Sequence, residues 1–508
     1  MTKSARSNKT YSTGLSSQVL FRGQLLTGIF FIGLAGLVAF VWLIIALKFS
    51  GLVAIGALLG MAGIATFIFK PHWATLFTLF VIYSNINVIA YKFHGVPLII
   101  AGSLWLALLI PFAVYIFFLK RELRIDYIFL LMLVYLATLL LSMTVAKDKS
   151  LAWEWIFTFI LEGLVLYFLF LNTIRTRQHL VSAIWLLLLT GAILGALTLY
   201  QDLTGDFTND FGGLAQRDLR FGLDNYEYSR DRDQIKLAYR AFGNIGDPNH
   251  FARILIIILP LGFFRILAEK RFLSKMLAFT FTMLILSGIL LTYSRGAFLT
   301  ICIMGAIMVG LKYIKWHQVV LGLFLLAIGT IVFAPGYLQR IDTIKGIKGI
   351  FSKKAAAQSD EVILNRTTEM LAAFHVFLDH PIIGVGPGQF IHFYSLDYMN
   401  NPDIAYKHFK VKRAAHSFQA EMAAELGLLG FIAFHLSVFY ALLRMWTARR
   451  KWVTRDPEIA GTLTGLILGI IGYFGTSLFL SFVYQRYYWV YLALCGAILQ
   501  IIENPKEN

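Results

Sequence analysis

The chain has 508 residues, of which 58% are hydrophobic and 14% charged, with a mean hydropathy of +0.70. Soluble proteins carry about a quarter charged residues, so a soluble fold is excluded and an all-α polytopic membrane protein is expected. The net charge of +17 gathers in short links such as Lys120-Arg121, Lys270-Arg271 and Arg449-Arg450-Lys451, where it sets topology and meets membrane lipids; no nucleic-acid partner is expected.

From the start, residues 1–25 read as a cytoplasmic tail, because the polar stretch lacks a small-residue cleavage site before a short apolar core. Apolar runs of about 20 residues, the length that crosses a bilayer, then recur. About fourteen (12–14) are expected, near 26–47, 51–69, 73–91, 98–119, 125–145, 152–172, 180–200, 250–268, 275–293, 296–312, 317–334, 417–443, 460–483 and 487–503. They group as N-terminal transmembrane helices (26–200), central ones (250–334) and C-terminal ones (416–503), with a short cytoplasmic tail at 504–508. With the N-terminus inside, the basic clusters and both termini fall in the cytoplasm.

That topology puts two large loops, 201–249 and 335–415, on the outer face. Loops of this length in compact architecture are functional or disordered. The second contains a helix-like stretch, Glu361 to Asp379, with Leu364, Leu371, Phe374 and Leu378 on one side. Aromatics follow it (Phe390, Phe393, Tyr394, Tyr398, Tyr406), so a packed lid is expected. Cys302 and Cys495 lie far apart inside apolar runs, which argues against a disulfide framework or thiolate site.

Chemistry concentrates at the mouths of the apolar runs. Arg240-Ala241-Phe242-Gly243 leads into Asp247-Pro248-Asn249-His250, a helix start with Asp as cap and Pro at the first position. Two readings stand: a plain cap, or free amides that join Arg240 in binding phosphate oxygens. Thr292-Tyr293-Ser294-Arg295-Gly296 joins two apolar runs almost without a loop, leaving Arg295 either to snorkel or to contact phosphate. His416 opens the run after the second loop, where a helix dipole favours a neutral imidazole suited to general-base work. On that helix Glu425 falls on the opposite face at 100° per residue, Glu421 is off-axis, and Gln419 is nearer.

Other signals are weaker. Asp231-Arg232-Asp233 sits among mixed charges and reads as solvated. Gly384-Val385-Gly386-Pro387-Gly388 lacks strand–turn–helix context and reads as a turn closing the lid. No zinc spacing, Walker loop or Ser/His/Asp order occurs, so a metal-independent mechanism without cofactors is the default.

In order and spacing, the segments Arg240-Ala241-Phe242-Gly243…Asp247-Pro248-Asn249, Ser294-Arg295-Gly296, Arg366 ahead of Pro381…Gln389-Phe390, and His416…Glu425-Leu426-Gly427…Gly430 resemble the O-antigen ligase and Wzy-type O-antigen polymerase superfamily, over about residues 240–431. The resemblance implies a GT-C-like glycosyltransferase of the bacterial inner membrane, with its active site on the outer face. It would move a glycan from a polyprenyl-pyrophosphate carrier to an acceptor hydroxyl on a lipid, glycan or protein. By position, Arg240 and Arg295 would hold the pyrophosphate, Arg366 would be a third contact or an ion-pair member, and His416 would deprotonate the acceptor for inverting attack. Asp247, Asn249, Gln419 and Glu425 would support them. Many relatives carry Asn after this His, whereas Ser417 stands here. Lys407, Lys410, Lys412 and Arg413 either steer an anionic substrate or form a solvated basic loop.

A transporter of a small anion such as bicarbonate is the alternative. It would place ionisable groups near the midplane of broken helices, whereas the runs read as mostly clean, with Glu162 the main exception. A non-catalytic assembly scaffold is a third reading, in which Arg240, Arg295 and His416 are dispensable.

Overall fold

The computed structural model describes residues 63, 65–217, 240–318, 322, 361–402, 404, 408–478, 480–481 and 485–504. The expected runs near 26–47, 51–69 and 317–334 lie wholly or mostly outside them, as do Asp231-Arg232-Asp233, Tyr406 and Lys407. The chain divides into two compact units, Met1–Trp73 and Ala74–Asn508. Of the first, residues 65–69 are helical.

Among the described residues the secondary structure is helical, apart from one isolated antiparallel bridge between Gln216 and Gly243. The helices in order are α1 (Pro71–Ser84), α2 (Ile86–His94), α3 (Leu98–Phe118), α4 (Tyr127–Met143), α5 (Lys149–Thr173), α6 (Arg177–Thr204), α7 (Pro248–Ala268), α8 (Phe272–Leu291), α9 (Arg295–Gly310), α10 (Glu361–Asp379), α11 (Phe418–Trp452), α12 (Pro457–Ser477) and α13 (Arg486–Glu503). Seven are long and apolar enough to cross a membrane, eight if the pair α1 and α2, bent by 55°, is one span. α4 and α9 are shorter apolar helices.

Capping sets many of the starts. Asp126, Asp148, Thr176, Asp247, Ser294, Ser417 and Asp456 each accept a backbone N–H from the first turn of the helix they precede, which satisfies donors that a helix start otherwise leaves orphaned. Ser417, the departure noted above, is thus the cap of α11.

Small residues bring the helices together. Gly461, Gly465, Gly469 and Gly472 of α12 form a stripe toward α7, where a Cβ at Gly465 would touch Leu261 and Phe264 and one at Gly469 would run into the Ile257 carbonyl. Packing through small residues at four-residue spacing is how spans associate where lipid removes the hydrophobic drive. The same logic decides which face of α10 is buried. Ala372, Ala373 and Val376 are fully buried there, while Phe374 and Leu378 are about half exposed. The small face meets α11, forming a second core with Val385, Phe390, Phe409 and Ala424.

α11 itself is broken. Gly427 has φ 61° and ψ −165°, and the segment from Pro381 to Gly386 lies across the break. Leu428 N donates to Pro381 O (2.8 Å) and Leu429 N to Ile382 O (3.1 Å), while Val385 N and Gly386 N donate to the carbonyls of Ala424 (3.1 Å) and Glu425 (2.9 Å). The groups freed by the kink are therefore re-paired by another stretch of backbone, the condition for irregular chain inside a membrane bundle. The glycine-rich run Gly384–Gly388 is part of this plug.

A buried polar chain crosses the other side of the bundle. Asn85, at the bend between α1 and α2, donates to Asn244 O (2.7 Å) and accepts from Arg486 (2.6 Å), which also pairs with Glu162 at 3.1 Å. Glu162 sits in a π-helical turn of α5, Phe159–Val165. The exceptional acid of the sequence is an ion-pair partner.

Candidate functional site

Arg240 is fixed by two acceptors. Its Nε donates to Thr292 O (2.8 Å) and its Nη2 to Asn249 Oδ1 (3.2 Å), while the next residue, Ala241, donates its N–H to Leu291 O (2.9 Å). The guanidinium therefore hangs from the turn between α8 and α9 and touches the start of α7. Arg295 opens α9 three residues beyond Thr292, half-buried, after Tyr293 in the left-handed region (φ 52°). Thr292-Tyr293-Ser294 are all buried, so the turn is a rigid mount for both arginines.

The phosphate reading of the α7 start needs correction. Asp247 Oδ1 accepts from the amides of Asn249 and His250 (both 2.9 Å), and Asp247 O accepts from Phe251 N (2.9 Å). Pro248 has no N–H. The amides of Asn249, His250 and Phe251 are thus all taken within the helix start, and Asp247 is its cap.

His250 brings the second histidine into the picture. Its Nδ1 is 2.7 Å from Arg253 Nη2; Arg253, 1% exposed, also donates to Ser481 O (3.0 Å) and stands over the Tyr473 ring. Arginine has no acceptor lone pair, so Nδ1 of His250 must accept and its proton sits on Nε2. Arg253 contradicts the expectation that Glu162 is the main polar exception in the apolar runs; it was overlooked because a single Arg barely lowers the hydropathy of a 21-residue helix.

His416 lies in electrostatic range of both His250 and Glu421. It adopts a left-handed backbone (φ 47°) just before the Ser417 cap, a conformation few non-glycine residues take and one that clusters at functional sites. Two acceptors flank its Nδ1. Ala414 O, at 3.2 Å, meets hydrogen-bond geometry, and Glu369 Oε2 approaches to 2.8 Å off that axis as an ion-pair contact. Glu369 is 1% exposed, and its Oε1 pairs with Arg413 Nη1 at 3.3 Å. The sequence reading missed it, though a lone acid three residues after Arg366 on the small-residue face of α10 was a usable signal.

Arg240 thus joins Asn249 and the Asp247 cap to the turn that carries Arg295, and His416 lies within electrostatic range of His250 at the same helix start. Arg366 is half-buried on α10, one turn before Glu369 and about 60° around the helix from it. Glu425 is elsewhere: its carboxylate accepts the amides of Gly388 (2.8 Å) and Phe390 (3.1 Å), holding the plug segment rather than His416. Gln419 is half-buried, with an Oε1 that has no hydrogen-bond partner among the described residues. Of the loop cations, Lys412 donates to His392 O (2.6 Å) and Arg413 pairs with Glu369 (3.3 Å).

Two further groups complete the surroundings. Glu421, 6% exposed, lines with Glu425, Gln485, Trp155 and Tyr135 a cavity of about 40 Å³, large enough for water but not for a sugar. Arg217, on the loop bridged to Gly243, donates to Gln201 Oε1 (2.8 Å) and Thr198 O (3.0 Å); burial, opposed by Asp202, brings its guanidinium down to about 10.

Residues 255–435 match the family model described as O-antigen ligase, 181 of the 508 residues. The matched segment contains Arg295, Arg366, Glu369 and His416, and begins just after Arg240 and Asn249. No curated protein matches the chain. The match supports a membrane glycan ligase or polymerase and gives no support to the transporter alternative.

Proposed function

We propose that this member of the O-antigen ligase and Wzy superfamily is an inverting membrane glycosyltransferase, which takes a glycan from a polyprenyl-pyrophosphate carrier and joins it to an acceptor hydroxyl on the outer face of the bacterial inner membrane. The reading is supported by Arg240, which joins the turn before Arg295 to Asn249 at the start of α7, with His250 beside Asn249 and within electrostatic range of His416. Cations and an imidazole at a membrane surface are what a lipid pyrophosphate and a hydroxyl nucleophile require.

In this reading Arg240 and Arg295 bind the pyrophosphate and stabilise the charge that builds on it as the bond to the anomeric carbon breaks. Arg366 approaches from α10 as a third contact. His416 takes the acceptor hydroxyl's proton on Nε2. Because pyrophosphate is already a good leaving group, guanidinium groups and a base suffice, and no metal or cofactor is invoked. Ligation and polymerisation share this donor site and differ in the acceptor.

The test is transfer by the full-length protein in liposomes, using a synthetic polyprenyl-pyrophosphate oligosaccharide and a glycan acceptor. Release of polyprenyl pyrophosphate coupled to glycan transfer, abolished in H416A and R295A, is expected. Transfer at the wild-type rate in both variants would overturn the reading.

A further inference from the structure

We infer that Glu369 is the positioning residue of His416, supplied by the loop helix α10 rather than by the helix that His416 precedes; this rests on the reading of His416 as the base. A base needs its lone pair on the nitrogen that faces substrate. With Ala414 O and Glu369 Oε2 both beside Nδ1, the single proton of the neutral ring belongs on Nδ1, and Nε2 keeps its lone pair.

The carboxylate has a second task once the proton moves. The acceptor O–H bond breaks and its proton goes to Nε2. The acceptor oxygen bonds to the anomeric carbon, and the electron pair of the old carbon–oxygen bond leaves with the pyrophosphate. His416 is then an imidazolium, and a carboxylate at 2.8 Å stabilises it. Arg413 sits on the other oxygen of Glu369.

Other groups that face His416 do not fill the role. His250 on α7 already accepts from Arg253. Glu421 on α11 is within electrostatic range of His416 but makes no ion-pair contact with its ring among the described residues. Glu369 is the carboxylate in contact, and its burial between α10 and α11 fixes where that charge sits. Thr368 and Ala372 beside it are fully buried, so α10 lies close enough to deliver a short-reach carboxylate. Docking of α10 thus brings the orienting carboxylate to His416.

The experiment is kcat and KM for transfer by full-length wild type, E369Q, E369D and H416A in liposomes. E369Q should lower kcat by roughly 10- to 100-fold, the factor that a lost charge partner removes from the base, with donor KM near wild type. E369D, which keeps the charge on a shorter stem, should fall between the two. An inactive H416A together with E369Q at wild-type kcat overturns this inference and leaves the base assignment standing; an active H416A overturns the base assignment itself. If E369Q does not accumulate, E369D decides: a lowered kcat at wild-type KM supports the role, and an unchanged kcat overturns it.

Discussion

The Nε of Arg240 donates to the carbonyl of Thr292 across 2.8 Å, which ties the segment before α7 to the turn that launches α9. One guanidinium edge is used to hold this geometry and a second N–H reaches Asn249. The side chain is thereby mounted before any substrate arrives, the arrangement that makes electrostatic stabilisation effective.

Replacing Arg240 should therefore damage the site in two ways. R240A is expected to lower kcat by about 10²–10³-fold, the scale for losing one preorganised charge-stabilising donor. R240K should recover only a small part, because a point-charge ammonium cannot reproduce the planar fork that meets Thr292 and Asn249 at once. Steady-state transfer kinetics in liposomes check both values.

The break in α11 makes a stability prediction. At Gly427 an alanine would sit at φ 61°, which costs a residue with a Cβ about 1–2 kcal/mol, and the Cβ would collide with the Ile382 backbone. G427A should lower the melting temperature in detergent by several degrees or prevent accumulation. G102A is the control: its Cβ meets nothing within 4 Å, and alanine favours the helix, so no loss is expected.

Asp456 gives a pH prediction. Burial works to raise its pKa, but the Ile459 amide, Arg177 and the Glu458 amide outweigh that and hold it below the ordinary carboxylate range. A depressed folded value means that the contribution is fully present above the unfolded value, about 3.9, and is lost as pH falls through the folded one. D456N should be less stable than wild type at pH 7, with the gap narrowing below about pH 4. Thermal unfolding at the two pH values measures it.

Much of the fold was legible because hydropathy and capping residues are local signals. Asp247-Pro248 marks a helix start that the structure places at Pro248, and the stretch from Glu361 to Asp379 is a single helix. What was hidden depends on distant partners. Nothing near Gly427 announces a break, because the bonds that make it tolerable come from Pro381–Gly386. The large apolar side of α10 stays half exposed while Ala372 and Ala373 are buried, because close approach favours small residues. At the site, Arg240, Arg295 and His416 were visible as polar residues at the ends of apolar runs. Glu369 was visible only as an acid on the small-residue face of α10, and its contact with His416 supplies its meaning. Asp247 carried two readings, and only its bonds to the Asn249 and His250 amides chose the cap.

If His416 drives transfer from a lipid-linked glycan, a mass-resolved lipid extract from cells carrying H416A beside wild type will show it. Polyprenyl-pyrophosphate glycans are predicted to accumulate in the variant, as single repeat units if the reaction is polymerisation and as long chains if it is ligation. A variant present in the membrane at wild-type level, with no change in any lipid-linked glycan, would contradict the account.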